Sequence, residues 1–195
     1  MKKKILLFGA GGHAKSCIDV IQKTNKFEIV GLIGRKNEIG NQVNGLKVLG
    51  TENDASTFFK KGVRNALITL GSYKNLYKRE KIFNLLKKKK FSFPIIISPL
   101  AYVSKLSKIA EGTIVMHGAI VNSNTEIGVN CIINSKSLIE HDCSIRNHVH
   151  ISTGSIINGS ATVGSNSFIG SGSVIKNNLL IKPGSFIKMG SILKK

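Results

Sequence analysis

One histidine–carboxylate pair stands out among the residues that could carry out acid–base chemistry. His141 and Asp142 lie side by side in the segment Ile139-Glu-His-Asp-Cys143. An imidazole titrates near neutral pH, which suits a general base, and a carboxylate bound to the ring makes it more basic. Neighbouring side chains of a straight strand point to opposite faces, so this pairing requires a corner in the chain. The pair predicts removal of a proton from an incoming nucleophile.

Three other histidines are weaker candidates. His150 follows His141 by nine residues, while His117 and His148 have no carboxylate beside them. For His117 and His148 we favour a surface position at a corner of the fold. The sequence has neither a Ser/His/Asp order nor the spacing of zinc ligands, so no metal is expected.

A six-residue repeat, which must position the histidine–carboxylate pair, runs without insertion from Val103 to Ile192. Each hexad has a β-branched residue at its first position and, with two exceptions, a small residue at its fifth. The first positions are Ile109, Val115, Val121, Ile127, Ile133, Ile139, Ile145, Ile151, Ile157, Val163, Ile169, Ile175, Ile181 and Ile187. This pattern predicts a hexapeptide β-solenoid of about five coils, in which three hexads close a coil and the small column lets the chain turn.

Residues 18 apart stack on the same face of such a solenoid. Gly159 therefore lies one coil above His141 and Ser123 one coil below, which leaves the imidazole facing open space rather than bulk. His150 is half a coil away and on a different face. The two histidines would meet only where the solenoids of two subunits pack side by side.

The first 95 residues predict a small β/α domain with three or four strands. Strands are expected at 4–8, 28–33 and 66–70, and helices at 14–23 and 76–90. The turn Gly9-Ala-Gly-Gly-His-Ala14 joins the first strand to the first helix, an arrangement that binds anions. The fold class is thus a Rossmann-like α/β domain over residues 1–95, followed by a parallel β-helix over residues 96–195.

A dinucleotide-dependent oxidoreductase is disfavoured. The turn matches G-x-G-x-x-A formally, but the second strand ends in Gly34-Arg35, where such enzymes place an acidic residue for the ribose.

Charge and cysteine content limit the class further. The net charge is +19, yet the lysines are spread along the chain and no nucleic-acid-binding motif accompanies them. The run Lys87 to Lys90 is interpreted as a solvated helix end. Neither nucleic acid nor stable membrane insertion is expected, whereas nucleotides and coenzyme A fit the charge.

The three cysteines (Cys17, Cys131 and Cys143) have no C-x-x-C spacing, which predicts reduced thiols and a cytoplasmic location.

Together these segments resemble the PglD/NeuD-like sugar acyltransferases. The resemblance rests on Gly9 to Ala14, Gly71-Ser72, Phe93-Pro94 with Ser98-Pro99, and Cys131 to Cys143. It implies a left-handed β-helix, whereas the general preference for right-handed crossovers would argue the other way. It also implies a homotrimer with active sites between subunits, and acetyl-CoA as co-substrate. The implied reaction is acetylation of the amine of a nucleotide-linked 4-amino-deoxysugar, for bacterial surface glycan or nonulosonic acid synthesis.

The resemblance also implies roles for individual residues. His141 would be the general base and Asp142 would raise its basicity. Substrate would contact Asn134 beside the base, and the nucleotide-sugar would bind the turn Gly11, Gly12 and His13 with Gly71 opposite. Acetyl-CoA would contact His150 and the backbone of Gly159, with Ser171 and Met189 lining the coenzyme groove.

Two alternatives stay open at this stage. One is O-acetylation of a sialic-acid-like sugar, because nothing in the sequence separates an amine acceptor from a hydroxyl. The other is a non-catalytic, trimeric scaffold that binds nucleotide-sugars, against which the intact His141-Asp142 pair argues.

Overall fold

The computed structural model describes residues 2–71 and 75–194, so Ser72 of the Gly71-Ser72 motif lies outside the described residues. The chain divides into two compact units. The first contains the residues up to Gly71 together with Lys78–Pro94, and the second consists chiefly of the residues from Ile95 onwards.

The first unit is built around a five-stranded sheet with the order β3-β4-β2-β1-β5. Its strands are β1 (Lys3–Phe8), β2 (Phe27–Ile33), β3 (Gln42–Val43), β4 (Leu46–Gly50) and β5 (Asn65–Ile68). Its helices are α1 (Gly12–Thr24), α2 (Ala55–Lys60) and α3 (Lys78–Lys88). β1 pairs in parallel with both β2 and β5. The side chains of Ile5 to Phe8 are fully buried, as expected for a central parallel strand with both faces covered.

This sheet has more strands than the three or four predicted from the sequence, because a hairpin lies at its edge. β3 pairs antiparallel with β4 through Val43 and Leu46. The two residues between them, Asn44 and Gly45, have φ angles of 47° and 78°. Positive φ at both positions is typical of a type I′ turn, which Asn-Gly favours. The Asn-Gly pair was the sequence signal for this hairpin.

The second unit consists of the seventeen two-residue strands β6 to β22, one in each hexad. They are β6 (Ile96–Ile97), β7 (Tyr102–Val103), β8 (Lys108–Ile109), β9 (Ile114–Val115), β10 (Ile120–Val121), β11 (Glu126–Ile127), β12 (Ile132–Ile133), β13 (Leu138–Ile139), β14 (Ser144–Ile145), β15 (His150–Ile151), β16 (Ile156–Ile157), β17 (Thr162–Val163), β18 (Phe168–Ile169), β19 (Val174–Ile175), β20 (Leu180–Ile181), β21 (Phe186–Ile187) and β22 (Ile192–Leu193). They form three parallel sheets with the orders β22-β19-β16-β13-β10-β7, β20-β17-β14-β11-β8 and β21-β18-β15-β12-β9-β6. Each strand pairs with the strand 18 residues away, which confirms the predicted solenoid and agrees with the left-handed β-helix.

The chain turns at the fourth position of each hexad, not at the fifth as the pattern of small residues suggested. Fourth-position residues from Gly112 to Gly190 all have a positive φ, between 55° and 72°. The small fifth-position residues are instead buried beneath the neighbouring coil, as Thr113 and Ser155 show. Their hydroxyls bond to a carbonyl of that coil, for example Ser155 Oγ to the carbonyl of Gly170 at 2.9 Å. A larger side chain would separate the coils.

Candidate active site

The histidine–carboxylate pair sits at the corner between β13 and β14. Asp142 occupies the fourth hexad position with φ 59°, and this left-handed conformation brings its side chain to the same side as that of His141. The Nδ1 of His141 lies 2.7 Å from Oδ2 of Asp142. Both side chains are about half exposed, at 58% and 49%. The corner that the pairing requires is therefore present.

Asp142 is held by a second partner that the sequence analysis missed. Asn124, one coil below, donates its side-chain N–H to Oδ1 of Asp142 over 3.2 Å. Hydrogen bonds from His141 and Asn124 lower the pKa of Asp142 below its ordinary value, so the carboxylate is ionised at neutral pH. With Nδ1–H donated to this carboxylate, Nε2 of His141 carries the lone pair. The 18-residue spacing from Asp142 was the signal for Asn124.

Gly159 lies directly over the imidazole, as the 18-residue spacing predicts. A Cβ atom placed on Gly159 would lie 2.7 Å from Cε1 and 2.8 Å from Nε2 of His141. The φ of Gly159 is not left-handed, so space and not backbone conformation requires glycine here. In the described parts of the chain no acceptor is found for the Gly159 N–H, although its carbonyl accepts from Asn178. That N–H is available to an oxyanion close to Nε2.

A second set of predicted residues lines a groove on another face of the solenoid. His150, on β15, contacts the edge of Phe168 with ring centroids 5.1 Å apart, and Phe168 stacks on Phe186 at 5.0 Å. These rings line a groove of about 520 Å³ together with Ser171 and Met189. Three of the four residues assigned to acetyl-CoA are thus brought together, while Gly159 lies at the His141 corner.

Asn134 lies beside His150 in the same chain, at the corner before β13. Its side-chain nitrogen is 3.3 Å from Nε2 of His150. β13 separates this corner from that of His141, beside which the resemblance placed Asn134. Within one chain the candidate residues therefore form two groups, one around His141 and one around His150.

The remaining two histidines of the solenoid have structural partners. His148 is buried, with Nδ1 3.0 Å from the side-chain nitrogen of Asn130, so the expected surface position is wrong for this residue. Nδ1 of His117 is 2.6 Å from the hydroxyl of Ser98.

In the first unit, the glycine turn follows β1 at the carboxyl edge of the sheet. Gly9 has φ 127°, and a Cβ there would lie 2.8 Å from the backbone nitrogen of Leu70, so only glycine fits. Gly11 and Gly12 are exposed, with open space where a Cβ would be, and α1 begins at Gly12. Gly71, after β5, is also exposed. The turn is therefore open to a ligand at a helix N-terminus.

An acidic residue does reach the end of β2, despite the Gly34-Arg35 pair. The Glu38 carboxylate accepts the backbone N–H of Arg35 over 2.7 Å, and a Cβ on Gly34 would lie 2.7 Å from its Oε2. Glu38 and Gly11 both line a recess of about 100 Å³ beside the turn. Glu38 belongs to a 3₁₀ turn and lies four residues after Gly34. The residues directly after β2 therefore did not reveal this carboxylate.

His13, the third residue of the predicted substrate turn, lies on α1 and interacts electrostatically with the buried cation Arg79. Its Nε2 is 3.3 Å from Sγ of Cys17. Arg79 is 1% exposed and donates two hydrogen bonds of 2.7 Å, to the carbonyls of Ile68 and Leu70. The pKa of His13 is lowered to about 4, chiefly because the side chain is buried and secondly because Arg79 is positively charged. Burial raises the pKa of Cys17 to about 12, so both groups are neutral at physiological pH.

The low pKa of His13 predicts acid sensitivity of the first unit. Below the ordinary value of 6.5 the unfolded chain binds a proton at this histidine, whereas the folded chain does so only near pH 4. The free energy of unfolding should therefore fall as the pH drops through this window, by at most about 3 kcal/mol. In the His13→Asn variant that fall should be smaller, as measured by urea unfolding across this pH range. An unchanged pH dependence would contradict the assignment, and His117→Asn is the matched control.

Across residues 2–71 and 75–194 no group of three or more His, Cys, Asp or Glu side chains could hold a metal ion. No helix in the same ranges is long and apolar enough to cross a membrane. Cys17, Cys131 and Cys143 are buried, and none of the three forms a disulfide.

The solenoid agrees with a family-model match, in which residues 142–177 match the bacterial transferase hexapeptide (six repeats). Residues 4–86 match the model of the PglD N-terminal domain. The first part of the chain thus matches a PglD model and the second a hexapeptide-repeat model, which confirms the resemblance. Among curated proteins no significant match is found.

Solved structures of similar proteins share the fold over nearly the whole chain. The acetyltransferase domain of PglB from Neisseria gonorrhoeae FA1090 is 25% identical, with 99% of this chain and 92% of that chain covered and a TM-score of 0.90. The same domain in complex with acetyl coenzyme A has a TM-score of 0.89, at 25% identity and coverage of 100% and 92%. A mutant perosamine N-acetyltransferase from Caulobacter crescentus, in complex with CoA and GDP-perosamine, is 23% identical, with coverage of 98% and 89% and a TM-score of 0.93.

Proposed function

We propose that this protein is an acetyl-CoA-dependent N-acetyltransferase that acetylates the amine of a nucleotide-linked 4-amino-deoxysugar. The observation that carries the proposal is the His141–Asp142 pair beneath Gly159. It combines a proton acceptor, its orienting carboxylate and an available backbone N–H within one corner. A proton acceptor and a donor to the oxyanion each accelerate acyl transfer to an amine.

The reaction follows from this arrangement. The sugar amine attacks the thioester carbonyl, so a C–N bond forms and the C–S bond of acetyl-CoA breaks. Nε2 of His141 takes the proton that the amine loses, and Asp142 stabilises the imidazolium through Nδ1. The Gly159 N–H stabilises the oxyanion. The imidazolium then returns its proton to the sulfur of coenzyme A.

The two ligands would occupy different units of the chain. The nucleotide-sugar would bind the first unit, proposed as a nucleotide-sugar domain over residues 1–95, through Gly11, Gly12, His13 and Gly71. A helix N-terminus with open glycines suits a diphosphate, and Glu38 is placed to accept hydrogen bonds from a nucleoside. Acetyl-CoA would bind the acyltransferase domain over residues 96–195, in the groove with His150, Ser171 and Met189.

The relatives support these ligand classes. The Caulobacter crescentus enzyme was crystallised with CoA and GDP-perosamine, and the Neisseria gonorrhoeae domain with acetyl coenzyme A. We place the reaction in bacterial surface glycan or nonulosonic acid synthesis. Three cysteines that form no disulfide support a proposed cytoplasmic location.

A homotrimer is the proposed assembly. One solenoid sheet carries an outward ladder of apolar side chains, and three of them are exposed by 39–66% in the single chain. The ladder consists of Tyr102, Ile120, Leu138, Ile156, Val174 and Ile192. The corresponding outward positions of the sheet that contains β14 begin with Lys108, Glu126 and Ser144. Because His141 follows the apolar sheet directly, a neighbour packed there would bring its own groups to the base.

This assembly predicts that activity can be restored by mixing inactive variants. If His141 of one subunit works with His150 and Asn134 of the next, hybrid trimers of His141→Ala and His150→Ala should regain part of the activity. The proteins would be mixed after dissociation and refolding, and turnover measured against the mixing ratio. Mixed His141→Ala and His141→Asn proteins are the control and should stay inactive. No recovery at any ratio would contradict a shared site.

Product analysis tests the reaction class. The protein would be incubated with acetyl-CoA and UDP-, GDP- and dTDP-linked 4-amino sugars, or with a free sialic acid. The proposal predicts an acetylated amino sugar whose acetyl group resists hydroxylamine, as an amide does. A hydroxylamine-sensitive ester on the sialic acid would favour O-acetylation. Nucleotide-sugar binding without any release of coenzyme A would favour the non-catalytic scaffold.

A further inference from the structure

One edge of the first unit's sheet carries a concentration of positive charge that the proposed reaction does not use. We call it the amino edge, because the strands β1, β2 and β5 begin there and the helices α1, α2 and α3 end there. It comprises the segments 2–4, 23–28, 60–65 and 87–92. In a parallel β/α unit this edge lies opposite the carboxyl edge, where the glycine turn is found.

Direct contacts join these segments into one surface. The N–H of Lys3 bonds to the carbonyl of Lys26, and the side chain of Asn65 bonds to the carbonyl of Lys4 at 2.8 Å. The N–H of Ser92 bonds to the carbonyl of Arg64. β1 pairs in parallel with β2, with Lys3 opposite Phe27, and with β5, with Ile5 opposite Asn65, and paired strands lie about 5 Å apart. The charges of the four segments are therefore neighbours.

The amino edge has twelve cationic residues and a single acidic one, Glu28. The cationic residues are Lys2, Lys3, Lys4, Lys23, Lys26, Lys60, Lys61, Arg64, Lys87, Lys88, Lys89 and Lys90. All but Lys89 are exposed, and Lys89 bonds to the hydroxyl of Ser56 at 2.6 Å. Favourable helix dipoles explain lysines in the last helical turns, but not Lys2 to Lys4 on a strand. Such a concentration of like charge opposes folding unless a negative surface offsets it.

We infer that the amino edge docks the protein onto an anionic lipid surface. Each Lys or Arg held near such a surface contributes about 1 kcal/mol to binding. The contact would be electrostatic and peripheral, since the described chain has no membrane-crossing helix. It would leave the carboxyl edge, with the glycine turn, facing away from the lipid. The inference does not depend on the reaction proposed for the protein.

Side-chain chemistry favours lipid over nucleic acid or an acidic protein. Eleven of the twelve cations are lysines, which are point charges without the planar fork that Arg uses on bases and phosphates. The aromatic residues of the edge segments offer no free stacking platform, because Phe91 is buried and Phe27 is partly buried. The aromatic and apolar anchors that dominate protein interfaces are likewise not exposed there. Diffuse charge without anchors fits a fluid anionic headgroup layer.

Vesicle co-sedimentation of the full-length protein tests the inference. The vesicles would contain phosphatidylcholine alone or phosphatidylcholine with phosphatidylglycerol, at low salt and at about 0.5 M salt. The test variant is Lys60→Glu/Lys61→Glu/Lys88→Glu. The control is Lys105→Glu/Lys176→Glu/Lys182→Glu, which makes the same change in net charge on exposed residues of the solenoid. Circular dichroism would verify that both variants fold.

The wild type and the control should bind the phosphatidylglycerol vesicles at low salt and be released at high salt. The amino-edge variant should bind at least about 100-fold more weakly, with unchanged acetyl transfer in solution. Equal weakening in both variants, equal binding to pure phosphatidylcholine, or no vesicle binding at low salt would overturn the inference. So would tighter binding to a DNA duplex or single strand that the amino-edge substitutions abolish, which would assign the edge to nucleic acid.

Discussion

Substitution of His141 by asparagine is expected to lower kcat by about 10²- to 10⁴-fold, the range that general-base catalysis contributes. Asparagine is small enough to fit beneath Gly159 and can still bond to Asp142, but it cannot accept the amine proton. The KM for acetyl-CoA should change little, because His141 is not among the residues that line the proposed coenzyme groove. The rates would be measured from coenzyme A release at saturating concentrations of both substrates.

Two further variants serve as comparisons for His141→Asn. His117 occupies the same hexad position as His141 in another coil, so His117→Asn should keep the wild-type rate. Asp142→Asn should reduce kcat by only about tenfold, because both side chains of the pair are about half exposed and exposed ion pairs contribute about 1 kcal/mol. Retention of more than a tenth of the activity by His141→Asn would exclude this residue as the base.

Substitution of Gly159 by alanine should cost about 10²-fold in kcat while leaving the solenoid folded. The new methyl group would lie 2.7 to 2.8 Å from the imidazole, so the half-exposed ring must swing away from it. A displacement of about 1 Å is sufficient for a loss of this size. The φ of Gly159 suits alanine, so the midpoint of thermal unfolding should hardly change.

Gly118→Ala is the matched control for this second variant. Gly118 has φ 67°, and its added Cβ would make only an ordinary 3.5 Å contact with the Lys136 side chain. This substitution should therefore lower the midpoint of unfolding through backbone strain and keep the activity. On a His141→Asn background, Gly159→Ala should have no further effect, because both act through the same ring. Independent, additive losses would show that Gly159 does not act through His141.

The solenoid was predictable because its signal is strictly periodic. A β-branched residue at every sixth position shows where the strands lie. Because three hexads make one coil, residues that are 18 positions apart stack on each other. The position of Gly159 over His141 follows from that arithmetic, as does Asn124 beneath Asp142. The prediction that the chain turns at the small fifth position was wrong. The turn lies at the fourth position and the buried small residue at the fifth, and only the φ angles distinguish these neighbouring positions.

Contacts that do not follow the six-residue repeat could not be predicted in the same way. Glu38 reaches the end of β2 through a short 3₁₀ turn, and a local turn of this kind has no repeating signal. Asn134 and His150 are 16 residues apart, whereas stacked residues are 18 apart. Their contact therefore depends on the rotamers of both side chains. The amino edge required knowledge of strand direction, because its lysines come from four separate segments. In the sequence those lysines are spread along the chain.

The reaction proposed for the His141 corner is transfer of an acetyl group from acetyl-CoA to a nucleotide-linked amino sugar. The most direct test is coenzyme A thiol release by the wild type and His141→Asn, with and without UDP-, GDP- and dTDP-linked 4-amino sugars. We expect the wild type to release coenzyme A only with one of these sugars and in an amount equal to the acetylated sugar formed. In the variant this release should be almost abolished. Release that is independent of any sugar, or equal in the two proteins, would contradict it.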